Sequence, residues 1–351
     1  MHSKAVKKIL VLVLTLGLLS AFVVGCGGGS AGPDAGGGSS QEGQTAPSQR
    51  PERISIATGG TGGTYYPYGG AMADIINKYV DGLEAAAEVT GASVENARLL
   101  DSGDSAIGLL MNDVVYMAVN GEGAFDKAID LRTLFVMYPN IMHVVSVDAG
   151  KVNSISDLKG KKVSVGAPGS GTETMSNEVL GALDITYDDF SVFRLSFAEN
   201  TQALRDNVID VGIWSVGAPT SSIMDLVTTH QPNIISFTED EISKVTAAKP
   251  YYNRTVIPAG TYDKQPEDVA TLAVWNSVIV HSRMSEDMAY TIVKAIFDNI
   301  QDIINVYPGA KDTTPENLIS AAEAPLHPGA IKYLKEIGID VPERLIPPEM
   351  K

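Results

Sequence analysis

One cysteine in 351 residues, at position 26, excludes an internal disulfide and any zinc site of Cys/His spacing. Cations are scarce as well: 26 Lys and Arg stand against 42 Asp and Glu, for a formal charge of −16. A surface that neutralises nucleic-acid phosphates needs clustered Lys and Arg, so no nucleic-acid partner is expected. His143, His230, His281 and His327 are scattered without an HExxH or any i, i+4 pair, and each reads as structural. Beyond the first 25 residues no stretch approaches 18 uninterrupted apolar residues, the minimum for a spanning helix. What the chain does have is 44% hydrophobic content, enough for one large domain or two ordinary ones.

The N-terminal fifty residues read as an address and a tether. Three lysines and no acid precede 16 almost wholly apolar residues, Ile9 to Val24, in the order of a secretory signal. Val23-Val24-Gly25-Cys26 then resembles a bacterial lipobox, with a small residue ahead of the only thiol. The expectation is a signal peptide over 1–25, removed before a diacylglycerol-modified Cys26, which takes the charge to −19. The alternative is an ordinary signal with an incidental cysteine. Ten of the 34 glycines fall in the first 50 residues, and the stretch 26–51 offers no apolar face for a core. It is expected to be a flexible linker reaching about 25–30 Å.

From residue 52 onward, strand and helix patterns alternate twice in the same order. A strand at 54–57, a glycine and hydroxyl loop at 58–64 and a helix at 65–79 precede two further strand–helix steps, the second with Asn112 or Asp113 as the expected helix cap, and then separate strands at 131–138 and 142–147. A strand at 162–165, a loop at 166–171 and a helix at 172–183 open the second round. SGDSAIGLL at 102–110 and NVIDVGIWS at 207–215 mark the repeat. The expected fold class is α/β, two doubly wound lobes around a cleft, with ligand at the carboxyl ends of parallel strands. Lobe 1 is expected over 52–142 and 284–351 and lobe 2 over 143–283. Val144–Val147 and Val278–Val280 are the expected crossover strands, and one helix is expected over 286–304.

Enzyme motifs are incomplete. GGTGGTYY at 59–66 has Tyr65 where a dinucleotide fingerprint needs glycine, and GAPGSGT at 166–172 lacks the lysine of a phosphate loop. Pro168 and Thr172 stand where a nucleophile elbow around Ser170 needs glycines. Asp188-Asp189 and Glu239-Asp240-Glu241 read as solvated polar loops. What remains is a matched pair of loops, each leaving a strand and opening a helix. Glycine lets backbone approach a ligand, and the free amides and dipole of a helix start favour an anion. Thr61, Gly62, Gly63, Thr64, Tyr65 and Tyr66 form the first loop, and Gly169, Ser170, Gly171 and Thr172 the second. Ser93 with Asn96, and Ser215 with Gly217, lie at two further strand ends. The plainer reading is that the glycines only make tight turns. Arg98, Arg194 and Arg254 are candidate carboxylate clamps or surface ion pairs.

ISIATGGTGGTYYPYGGAMADII, TGASVENARLL, NDVVYMAVNG, VSVGAPGSGTE, IPAGTY at 257–262 and LHPGAIKYLKEIGI together resemble the TAXI family of TRAP-transporter solute receptors, over about 300 residues. The resemblance implies a type II periplasmic-binding-protein fold of two lobes joined by two strands. It implies an extracytoplasmic receptor; no enzymatic activity and no cofactor are expected, and no residue is picked out as a metal ligand. Its partners would be a small organic anion, glutamate or a 2-oxoglutarate-like dicarboxylate, and an ion-gradient-driven membrane permease. Family site positions match Gly62 to Tyr65, Ser93 to Asn96 and Gly169 to Thr172; Trp214-Ser215-Val216-Gly217 departs from the family pattern. Other readings are the binding lipoprotein of an ABC importer, a signalling receptor that feeds a kinase, and a serine hydrolase using Ser170.

Overall fold

The computed structural model describes residues 51–148 and 150–351. The expected signal, Cys26 and the linker up to residue 50 lie outside the described residues. In the first lobe β1 (Glu52–Ala57), α1 (Tyr65–Tyr79), β2 (Leu83–Glu88), α2 (Ser93–Ser102), β3 (Ile107–Met111) and α3 (Asn112–Asn120) alternate, and β4 (Leu131–Ser146) leads out. The second lobe repeats the pattern with β5 (Lys162–Ser164), α4 (Gly171–Ala182), β6 (Ser191–Phe193), α5 (Phe197–Arg205), β7 (Val211–Val216) and α6 (Ser221–Thr229). There follow β8 (Asn233–Ile234), α7 (Glu239–Ala248), β9 (Asn253–Ile257) and β10 (Val269–His281). The chain closes with α8 (Glu286–Asp298), α9 (Ile300–Val306), α10 (Pro315–Ala321) and α11 (Pro328–Glu336). No described helix is long and apolar enough to cross a membrane.

The strand order β2-β1-β3-β10-β4-β7-β5-β6 carries the repeat into space. In each lobe a central strand pairs in parallel with two neighbours, β1 with β2 and β3, and β5 with β6 and β7. Ala57 faces Gly108 and Ser164 faces Gly212, so the two marked segments occupy equivalent registers. Asn96 and Asn200 repeat as well: each donates its amide from the lobe's second helix to a carbonyl of the third strand, Leu109 at 2.8 Å and Ile213 at 3.2 Å.

β4 and β10 run antiparallel and belong to both lobes. Asn276–Ile279 pairs with β3, whereas Val269–Ala273 pairs with β9; Ile141–Val145 pairs with β7. The change of pairing partners therefore falls near 139–141 and 274–276, ahead of the expected crossovers at 144–147 and 278–280. Pro139 does not end the first strand as expected, because it faces Trp275 where the pairing is bulged and a missing N–H is tolerated. Three other readings change. The 286–304 helix breaks at Asn299 into α8 and α9. Glu239-Asp240-Glu241 is not a loop but the first turn of α7, capped reciprocally by Thr238 and Glu241. Met111, not Asn112 or Asp113, is the N-cap of α3.

Asp113 is fully buried, and its Oδ2 accepts from Tyr252, just ahead of β9, at 2.8 Å. This bond crosses from the first lobe to the second.

Candidate functional site

A cavity of about 90 Å³ lies where the two lobes meet, well below the ~300–1,000 Å³ of sites for drug-sized molecules, so it suits a small solute. The first lobe contributes Gly59, Gly60, Gly63, Thr64, Tyr65, the Thr90–Ser93 turn and Met111. The second contributes Ala167, Ser170, Gly171, Thr172, Ser196, Phe197, Ser215 and Val216, and Asn140 reaches in from the crossover of β4. No Lys, Arg, His, Asp or Glu is in this lining.

Four helices start at the wall: α1 after Thr64, α2 after Ala92, α4 after Ser170 and α5 after Ser196. The local sequence explains each start. Ser170 and Ser196 are N-caps whose hydroxyls accept from the amides three residues on, Glu173 at 3.1 Å and Glu199 at 3.4 Å. Gly169, with φ of 75°, gives the turn into α4 a backbone that other residues resist. The amides of Gly171 and Thr172, and of Phe197 and Ala198, have no acceptor among the described residues. They are the free donors that a helix start leaves.

The hydroxyls are neutral and already oriented. Thr64 Oγ1 accepts from Tyr138 at 2.6 Å and from the Gly217 amide at 3.4 Å. Thr172 Oγ1 accepts from the Ser215 amide at 3.4 Å, and Ser93 Oγ from the Met111 amide at 3.1 Å. Because Thr64, Ser170 and Thr172 act here as acceptors, their own protons are left to donate. Tyr65 donates to Asn276 Oδ1 at 2.5 Å, and burial holds its hydroxyl well above the ordinary tyrosine range, so it stays a neutral donor.

Of the residues expected at the site, Gly63, Thr64, Tyr65, Ser93, Ser170, Gly171, Thr172 and Ser215 line the cavity. Six do not. Thr61 and Tyr66 face solvent. The Gly62 carbonyl is taken by Thr220 at 3.2 Å and Ser221 at 3.3 Å. Asn96 is buried as a backbone staple, bonded to the Ala57, Thr58 and Leu109 carbonyls. Gly217 packs against Tyr307 and Tyr138.

Gly169 has a different task from the one expected. Its carbonyl accepts from the Val94 and Glu95 amides at 3.1 and 3.2 Å, so a loop of the second lobe caps a helix of the first. With the Gly62 bonds to Thr220 and Ser221, this closes the lobes over the cavity. It also means that these two amides of α2 serve closure rather than a ligand.

The candidate arginine clamps all lie outside the cavity. Arg98 donates to the Ala124 carbonyl, Arg194 pairs with Glu173 and Arg254 with Glu239. No histidine is in the lining either. His143 is buried, with Nδ1 against the Ile141 carbonyl at 2.8 Å and Nε2 against the Tyr262 hydroxyl at 3.0 Å, and burial pulls it down to about 4. His327 caps α11. Ser170 thus has a helix to cap and no base among the cavity residues to activate it.

Sequence reading missed Asn140, Thr90, Gly91, Ala92, Ser196 and Phe197. The repeat contained a signal for two of them, since Ser196-Phe197 opens α5 as Ala92-Ser93 opens α2.

Two α/β lobes joined by two crossover strands, closed over a small cavity of neutral donors, define a type II binding protein. A model described as the NMT1-like family matches residues 56–338, and the chain belongs to that family, a periplasmic solute-binding protein type. Among solved structures, a protein of Bordetella bronchiseptica RB50 matches with a TM-score of 0.49 and 14% identity, covering 86% of this chain and 92% of that one. The alkanesulfonate-binding protein SsuA from Xanthomonas axonopodis pv. citri, bound to MOPS, matches with a TM-score of 0.45 and 13% identity over 82% and 91%. A TctC solute-binding protein from Polaromonas matches with a TM-score of 0.44 and 14% identity over 75% and 89%.

Proposed function

We propose that the protein is an extracytoplasmic receptor that captures a small organic acid between its lobes and presents it, unchanged, to a membrane permease. The observation that carries this is the cavity between the lobes: helix-start amides and neutral hydroxyls from both lobes converge there, with no acid–base pair for bond-breaking chemistry. Contacts with both lobes give the ligand more binding free energy in the closed form than in the open one, which is what drives closure.

Within this class we read the chain as a TRAP receptor of TAXI type, on the sequence motifs set out above, with glutamate or a 2-oxoglutarate-like dicarboxylate as the solute. An ABC importer would use the same two-lobed receptor, and family membership supports it comparably. A fused large permease gene beside this one fits the first and an ATPase gene the second. Cys26 is proposed as the lipid anchor.

The test is a thermal-shift screen of the full chain against amino, hydroxy, oxo and dicarboxylic acids, with sugars and polyamines as controls. A ligand at 100 times its Kd stabilises by about 2.7 kcal/mol, so members of the acid classes raise Tm by several degrees. A flat response to all acids, or a rise only with the controls, overturns the small-acid reading.

A further inference from the structure

Every polar group described so far on the cavity wall is a donor or is satisfied within the protein, with one exception. Asn140 is 3% exposed and sits where β4 passes from one lobe to the other. Its Nδ2 donates to the Ser215 carbonyl at 3.1 Å. A carbonyl can only accept, so this bond fixes the orientation of the side-chain amide. The other end, Oδ1, is a buried acceptor with no partner.

The contrast with Asn276, two residues beyond Val274, the partner of Asn140 on β10, is informative. There Nδ2 donates to the Tyr138 carbonyl at 2.7 Å and Oδ1 accepts from Tyr65 at 2.5 Å, so both ends are satisfied. Two other buried side-chain atoms among the described residues lack partners, Ser164 Oγ and Asn200 Oδ1, and neither residue lines the cavity. Buried acceptors are ordinarily matched, so an orphan on a residue that lines the cavity between the lobes marks the place of a ligand donor.

We infer that Asn140 Oδ1 is the acceptor for an N–H or O–H group of the ligand, and that the cavity selects small acids carrying such a donor over their oxo analogues. This rests on the small-acid reading and sharpens it. The acid end meets the free amides of α4 and α5 and the donor hydroxyls, while an amino or hydroxyl group meets Asn140. An oxo acid has only acceptors to offer and leaves Oδ1 unmatched, at a cost of about ten- to hundredfold in affinity.

Calorimetric titration of the full chain with two matched series tests this: L-alanine, L-lactate and pyruvate, and L-glutamate, L-2-hydroxyglutarate and 2-oxoglutarate. In the series that binds, the amino or hydroxy member has at least a tenfold lower Kd than the oxo member. In Asn140→Leu, and in Asn140→Ala as a second variant checked for folding by circular dichroism, that ratio falls to within about threefold. A residue that only supported the Ser215 carbonyl would weaken all members alike and leave the ratio standing. An oxo acid that binds as tightly as its partners in the unaltered protein overturns the inference and leaves the small-acid reading intact; so does a ratio that survives both substitutions. Binding by none of the six overturns the inference together with that reading.

Discussion

At the scale of single residues, burial decides protonation. Asp113 accepts from the Val114 amide at 2.7 Å and from Tyr252 at 2.8 Å, yet burial outweighs these bonds and pushes its carboxyl up to about 7. A folded-state value above that of the unfolded chain means that the folded protein holds a proton the unfolded chain has lost. The stabilisation is therefore complete at acid pH and declines as the pH rises from about 4 through about 7. Asp113→Asn, which cannot ionise, is expected to flatten this dependence; Tm recorded from pH 4 to 8 should fall in the unaltered protein and stay more nearly level in the variant. A parallel decline in both would locate the pH dependence elsewhere. At this same scale the sequence was an uneven guide. Ser170 and Tyr65 were legible because glycine loops announced them, whereas Asn140 sits alone among apolar strand residues, where only the geometry of Ser215 reveals a role.

Among the elements, helix starts were more legible than strand continuity. α1 was readable to the residue because its apolar positions recur at helical spacing and Tyr65 follows directly on the glycine loop. α7 was not, since it buries only Ile242 and Val245; the Thr238–Glu241 capping box was the signal it offered. The α8–α9 break at Asn299 has neither glycine nor proline to announce it. The start of α4 carries a sharper consequence. A Cβ on Gly171 would meet Met111 Sδ at 2.5 Å and Ser93 Oγ at 2.8 Å, and both belong to the opposite lobe. Gly171→Ala is thus expected to leave each lobe folded and to hold the pair apart. The ligand found by the thermal-shift screen should bind at least tenfold more weakly, and small-angle scattering with ligand should show a larger radius of gyration than the unaltered protein. Unchanged affinity and radius would mean that Met111 and Ser93 give way without opening the seam.

For the whole molecule, the acidic composition and the proposed acidic ligand are compatible because they occupy different places. The formal charge of −16 belongs to the chain, while the cavity lining carries no Asp or Glu. The two-lobed plan was legible from the repeated strand–helix order, but the crossovers were not, because β4 and β10 are apolar along most of their length and give no mark where one lobe ends. The proposed anchor belongs to this scale. Cys26→Ser is expected to move the protein from the membrane fraction to the soluble fraction, and mass spectrometry should find no diacylglycerol adduct; membrane retention by the variant would assign the tether elsewhere.

The seam itself has a longer consequence. The bond that closes α2 runs from backbone amides at Val94 and Glu95 to the backbone carbonyl of Gly169. Main-chain atoms are common to all residues, so side chains around the cavity can be exchanged while that clasp stays as it is. Exchanges that spare Gly169, Gly171 and the Thr220 and Ser221 hydroxyls on the Gly62 carbonyl therefore leave the contacts between the lobes in place, and in the proposed receptor role they would alter the solute held without altering the seam.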